Sequence, residues 1–102
     1  MTRPSTFERV TSKSERQAAR ATVAAYHQAR QAELVERVGE AIDRYRAGEL
    51  DPFDMDRVLF QYSRAAKELW RFCNRPSVDL AAALIRSDPP TDWWERGAPR
   101  QR

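Results

Sequence analysis

The chain has 102 residues, of which 32% are charged, with a formal net charge of +3 and a mean hydropathy of -0.79. No apolar run is long enough to cross a membrane, and the polar N-terminus lacks the hydrophobic stretch of a signal peptide, so we expect a cytoplasmic protein. A single cysteine, Cys73, cannot form an internal disulfide, which agrees with a reducing compartment. The length predicts one domain over residues 1–102 with a modest core, with residues 1–12 and 98–102 flexible.

The first predicted element is a long helix over about residues 14–47, because this segment is rich in residues that lose little side-chain entropy in a helix. Gly48 is placed to end this helix in a left-handed conformation. Its second half presents one apolar face made of Leu34, Val38, Ala41, Ile42 and Tyr45. Its first half presents a differently oriented stripe of small residues, so we expect that half to leave the packing seam and either to overhang or to find another neighbour: Ala18, Ala21, Ala25, Ala29 and Ala32.

A second helix is predicted over residues 51–73. Asp51 can cap its start, Pro52 fills the first helical position, and Asp54 lies in the first turn near the positive end of the helix dipole. Asn74 and Pro76 stop the helix. One apolar stripe about 160° wide runs along it, counting 100° per residue: Met55, Val58, Leu59, Tyr62, Ala65, Ala66, Leu69, Phe72 and Cys73.

A third, short helix is predicted over residues 77–86, and a tail with two tryptophans follows, with one helical turn that Thr91 could cap. Because the connection between the first two helices is short, they should pack antiparallel. The sequence therefore predicts an all-α fold, an antiparallel helical hairpin completed by a third helix and a Trp-containing tail.

One stretch resembles a known group of proteins. The segment Arg44-Tyr-Arg-Ala-Gly-Glu-Leu-Asp-Pro-Phe-Asp54, the run Lys67-Glu-Leu-Trp-Arg-Phe-Cys73 and the tail Pro90-Thr-Asp-Trp-Trp94 are similar to short uncharacterised actinobacterial helical proteins. The resemblance covers about half of the chain. That group has no activity attached to it, so the resemblance implies a helical fold and no function.

The residues that usually carry chemistry are sparse and have structural explanations. His27 and Cys73 could lie near the same end of the hairpin, but a structural zinc site needs about four nitrogen or sulfur ligands. We interpret Cys73 as a small buried side chain and His27 as a partly exposed helix residue. The clustered acids Asp51, Asp54 and Asp56 stand at a helix start, where capping accounts for them better than a cation does. We therefore expect no catalytic residue, metal, cofactor or small-molecule substrate, and we expect that the protein is not an enzyme.

The basic excess lies near the N-terminus, because residues 1–31 carry six basic and two acidic side chains. Helical spacing would put Arg9, Lys13, Arg16 and Arg20 on one ridge. Such a ridge could contact nucleic acid, dock an acidic protein surface, or be merely a solvated charged face. No helix-turn-helix, zinc-finger or base-stacking pattern accompanies it.

The aromatic residues are more informative. Phe53 and Phe60 lie outside the main stripe of the second helix, Trp70 lies at its margin, and Trp93 and Trp94 are adjacent in the tail. These rings either cover the core within one chain or form an interface. The hypothesis from sequence is a protein–protein interaction module, a homodimer or an adaptor, with these five as contact residues. The alternative is an accessory protein that binds nucleic acid through the basic ridge.

Overall fold

The computed structural model describes residues 12–87 and 91–100 of the chain. Four helices follow one another: α1 (Lys13–Arg46), α2 (Pro52–Cys73), α3 (Val78–Ser87) and the single turn α4 (Trp93–Arg96). The described residues contain no strand, and each predicted long helix is present to within about one residue. The all-α prediction is therefore confirmed. Of the ends expected to be flexible, residues 1–11 and 101–102 lie outside the described part.

The turn between α1 and α2 forms as its sequence dictates. Gly48 has a φ of 83°, the left-handed conformation that glycine tolerates without strain, and it ends α1. Asp51 accepts a hydrogen bond from the Asp54 amide at 2.7 Å, and Asp54 accepts one in return from the Asp51 amide at 2.9 Å. This reciprocal capping box satisfies two amides that the helix itself cannot pair.

The start of α1 uses the same device. Ser12 accepts from the Glu15 amide at 3.0 Å, and the Glu15 carboxylate accepts from the Ser12 amide at 2.8 Å. At the other end of the chain, α4 is capped by Asp92, which accepts from the Glu95 amide at 3.1 Å. The expected cap at Thr91 was wrong because the carboxylate one residue later stands at the capping position.

The packing seam of α1 runs along most of the helix. Its buried residues are Ala19, Val23, Leu34 and Ala41, with Tyr26 half-buried among them. The predicted change of seam in the first half was therefore wrong. The alanines that suggested it are all exposed: Ala18, Ala21, Ala25, Ala29 and Ala32.

The lengths of the helices explain why the packing seam runs along most of α1. α1 has 34 residues and is about 51 Å long, whereas α2 and α3 have 22 and 10 residues and together span about 48 Å. Both pack against α1 and contact each other little. The N-terminal half of α1 is thus covered by α3, through the buried Ala81 and Ala82, and does not overhang.

Helix α2 lies between α1 and the C-terminal segment, and its Ala65 and Leu69 have no exposed surface. Gln31 of α1 donates to the Tyr62 hydroxyl at 2.6 Å across the α1–α2 contact. Most of the predicted stripe faces these neighbours. Leu59 does not, being 44% exposed, because the stripe is wider than the arc that the neighbours cover. Tyr45 on α1 is exposed for the same reason.

The C-terminal segment is held against α2 by close backbone contact. Arg64 donates to the Gly97 carbonyl at 2.6 Å, and Gln61 donates to the Trp94 carbonyl at 2.8 Å. A Cβ on Gly97 would lie 2.5 Å from the Gln61 carbonyl oxygen and 2.6 Å from the Ala65 nitrogen. Only glycine allows this approach, because both neighbouring atoms belong to helical backbone.

This contact yields a stability prediction with a matched control. We expect Gly97→Ala to lower the free energy of unfolding by about 1–3 kcal/mol, because the segment must move away from α2. Gly39→Ala, in the interior of α1 with open space around it, should raise that free energy by about 0.5–1 kcal/mol. Urea unfolding followed by circular dichroism measures both. Equal effects of the two substitutions would contradict the packing of Gly97.

Candidate interaction surface

One side of α2 is largely exposed among the described residues. It consists of large apolar side chains at the edges and polar ones along the middle. Phe53 is 69% exposed, Phe60 and Trp70 are each 58% exposed, and Leu59 is 44% exposed. We call this surface the outer face of α2: Phe53, Asp56, Leu59, Phe60, Ser63, Lys67 and Trp70.

Helical geometry explains why these side chains lie together. At 100° per residue they fall within an arc of about 120°, opposite the arc that carries Ala65 and Leu69. Phe53 and Phe60 lie along one edge, and Leu59 and Trp70 along the other. Four large exposed apolar groups therefore share one arc with polar groups between them, and exposed apolar groups gathered on one face mark binding surfaces.

The two tail tryptophans are not part of this face. Trp93 is 5% exposed, its indole N–H donates to the Tyr26 hydroxyl at 2.8 Å, and its ring centroid lies 5.4 Å from that of Phe72. Phe72 in turn packs on Tyr26 with centroids 5.8 Å apart. Trp93 therefore completes the core of its own chain, which is the first of the two alternatives that the sequence left open for these rings.

Trp94 is half-buried, and its environment is also within the chain. The Arg37 guanidinium lies over the Trp94 ring at 5.4 Å from the centroid, a cation–π contact that ties the tail to α1. Of the five aromatic residues expected at an interface, Phe53, Phe60 and Trp70 share the exposed face. Sequence reasoning missed Leu59, which had been assigned to the core side; its position next to Trp70 on the helical projection was the available signal.

The basic ridge is visible in part. Arg9 lies outside the described residues, and Lys13, Arg16 and Arg20 are exposed on one side of α1. The structure adds a basic residue that sequence spacing could not place there. A groove lies between the first half of α1 and the segment that joins α2 to α3. Arg75, from that segment, lines this groove together with Arg20.

His27 and Cys73 also line that groove, as their expected positions at one end of the hairpin suggested. Cys73 is 8% exposed, and burial raises the pKa of its thiol to about 11. The thiol is therefore protonated at neutral pH and is a poor nucleophile there, since the thiolate is the reactive form.

Two of the three clustered acids, Asp51 and Asp54, cap the start of α2. Hydrogen bonding from the Asp51 amide, and then from Arg57, lowers the pKa of Asp54. The Asp51 carboxylate accepts a hydrogen bond from the Asp54 amide, so the carboxylates of Asp51 and Asp54 both bind backbone amides at the helix start. Within residues 12–87 and 91–100, no group of three or more His, Cys, Asp or Glu side chains is arranged to hold a metal ion. In the same part of the chain, no helix is both long and apolar enough to span a bilayer.

The buried thiol gives a pH prediction. Below the ordinary thiol value of 9.0 the group is neutral in the folded and unfolded chain, so its contribution to stability is complete. As pH rises towards 11, the unfolded chain ionises first and this contribution is lost. We expect the stability difference between the wild type and Cys73→Ala to fall by up to about 2 kcal/mol between pH 8 and 11. Chemical denaturation across this range measures it, and parallel curves for the two proteins would contradict the burial.

Comparison with known proteins identifies no relative. No family model matches the chain, and neither a curated protein nor a solved structure matches it significantly. The function must therefore be argued from the surfaces themselves.

Proposed function

We propose that this protein is a non-enzymatic helical interaction module that forms a homodimer through the outer face of α2. The observation that carries the proposal is the exposure of Phe53, Phe60 and Trp70 on one arc of a helix whose other sides are covered. A small domain keeps such a patch at a cost in solubility, and burial against a partner removes that cost. A cytoplasmic location belongs to the same proposal and is supported by the single cysteine.

The charges on this face favour a second copy as the partner. Asp56 and Lys67 lie along the middle of the face, eleven residues apart and within about 20° of one line. Parallel pairing of two α2 helices would set each of these charges against its own copy. Antiparallel pairing about a two-fold axis near residues 61–62 sets Asp56 opposite Lys67 of the second copy. A two-fold interface must be self-complementary, and this face meets that requirement in one orientation.

The aromatic residues fit the same register. Phe53 and Trp70 are equally far from the midpoint of this pairing, so they come to the same level on the two copies. Because they stand on opposite edges of the face, the Phe53 ring of one copy and the Trp70 ring of the other lie at the two edges of the contact, beyond each Asp56–Lys67 pair. Aromatic side chains such as Trp are enriched among the residues that contribute most binding energy.

The dimer is tested by a charge swap. Sedimentation equilibrium at tens of micromolar should give a dimer for the wild type. Asp56→Lys and Lys67→Asp should each weaken it, because like charges then face each other, and the double swap should restore it. Asp43→Lys makes the same charge change on the exposed side of α1 and should have no effect.

The apolar part of the interface has its own test. Phe60→Ser should weaken the dimer by about 2 kcal/mol or more, because truncating an interface anchor costs that much. Leu80→Ser removes a comparably exposed apolar side chain from α3 and is the control. A monomeric wild type, or a dimer indifferent to Phe60→Ser, would contradict the proposal.

A second candidate function is the binding of nucleic acid by the basic ridge. It is favoured by the exposure of Lys13, Arg16 and Arg20 on one side of α1 and by the nearby position of Arg75. Backbone contacts of this kind give an affinity that falls steeply with salt.

This candidate predicts binding of duplex DNA at low salt. Changing Lys13, Arg16 and Arg20 to Gln, together with Arg9, should weaken that binding and flatten its salt dependence by about one unit of slope for each lost phosphate contact. Fluorescence anisotropy with labelled duplex measures both. Binding that is absent at low salt, or unchanged in the variant, would count against the candidate.

A further inference from the structure

A groove of about 540 Å³ lies between the first half of α1 and the segment that joins α2 to α3. Its volume is within the range of small-molecule sites in proteins. None of the residues of the outer face of α2 lines this groove, so the groove is distinct from the proposed dimer interface.

The polar lining of this groove consists of two arginines, a histidine and an asparagine. Arg20 and His27 come from α1, and Asn74 and Arg75 come from the chain after α2. No carboxylate is among its lining residues. Two arginines from separate elements therefore line one groove that has no acid among its lining residues.

These two arginines differ from four others in the described part of the chain, which are paired with acids. Arg30, Arg44, Arg57 and Arg71 each form an ion pair with a carboxylate. Neither Arg20 nor Arg75 has a carboxylate within ion-pair distance among the described residues. The Arg75 guanidinium lies over the Phe72 ring at 5.1 Å from its centroid, and Arg75 also lines the neighbouring groove to which Phe72 belongs.

The remaining lining is apolar. Val23 of α1, Cys73 at the end of α2 and Val78 at the start of α3 contribute to the groove, and Cys73 is protonated and uncharged at neutral pH. A ligand held by the arginines would therefore place its uncharged part against hydrocarbon and a neutral thiol. The lining combines a recognition site for an oxyanion with a surface for a small apolar body.

We propose that this groove binds a small organic oxyanion, a phosphate or carboxylate carried on an apolar body, through Arg20 and Arg75. The planar guanidinium groups supply paired N–H donors that match the oxygens of either head group. Asn74 and His27 supply further polar contacts at the rim. The apolar lining selects organic anions over inorganic ones.

The test is a titration of the full-length protein, labelled with nitrogen-15, with phenyl phosphate as the probe. We expect saturable amide shifts concentrated at residues 20–27 and 73–78. Benzoate should shift the same residues, and comparison of the two affinities separates phosphate from carboxylate preference. Inorganic phosphate should bind more weakly, because it lacks the apolar body, and benzyl alcohol should not bind, because it lacks the charge.

Substitutions separate this site from general attraction to a basic protein. Arg20→Gln and Arg75→Gln should each weaken phenyl phosphate binding by about tenfold, the loss of one charge-assisted contact. Arg75→Lys should recover part of that loss, because it keeps the charge without the planar fork. Arg46→Gln removes the same charge from an exposed position at the far end of α1 and should leave the affinity unchanged.

Several outcomes would overturn the proposal. They are non-saturable shifts spread over the basic side chains, equal weakening by Arg46→Gln and Arg20→Gln, or benzyl alcohol binding as tightly as phenyl phosphate. Equal affinity for inorganic phosphate would overturn the role assigned to Val23, Cys73 and Val78. The dimer tests use other residues, so failure of either proposal leaves the other standing.

Discussion

Ala65 and Leu69 are completely buried on α2, and they lie where α1 and the C-terminal segment both reach that helix. Two neighbours on adjoining sides of a helix cover only part of its circumference. On α2 they leave the outer face, an arc of about 120° or a third of the circumference, towards solvent. In this chain the remaining third carries Phe53, Phe60 and Trp70. The exposure of those rings is thus a geometric consequence of how α2 is held, and a third neighbour would be needed to cover them.

Small residues make this arrangement possible at close range. The buried positions of α1 and α3 are largely alanines, and Gly97 touches the backbone of α2. Close-packed alanines bury little apolar area per residue, so larger groups must contribute more of the hydrophobic stabilisation. The Tyr26–Phe72–Trp93 cluster does this, and it joins α1, α2 and α4 with one hydrogen bond inside it. The tail thus supplies Trp93, the largest buried side chain of the core among the described residues.

The features predictable from sequence are those that depend on neighbours along the chain. Gly48 and the cap at Asp51 are local, and both were predicted, whereas the return hydrogen bond to Asp54 was not. The capping box of Ser12 and Glu15 carried the same signal, Ser followed three residues later by Glu, and was missed. The contacts of Trp93 could not be predicted, because the tail and Tyr26 are 67 residues apart and no periodicity relates them.

The alanines of α1 show a different limit. Alanine is compatible with a buried seam and with an exposed helix surface, so a row of alanines does not say which side faces the core. The seam was decided by Val23 and Tyr26, whose larger side chains gain more from burial, and Ala19 followed them by its position on the helix. Likewise, the width of the α2 stripe left Leu59 assigned to the core, because only the position of the neighbours fixes which margin is covered.

The two proposed sites are compatible with each other in one molecule. The proposed two-fold axis passes near residues 61–62, whereas α2 reaches the groove only at its last residue, Cys73. That separation is about 17 Å along the helix, so antiparallel pairing would carry two grooves at opposite ends of the dimer, on the order of 35 Å apart along α2. The outer-face residues that would form the dimer contact do not line either groove. Helix α2 is rigid and links the proposed interface to the groove. Anion binding would therefore change the affinity of the two copies for each other only if the ligand moved α2 against α1.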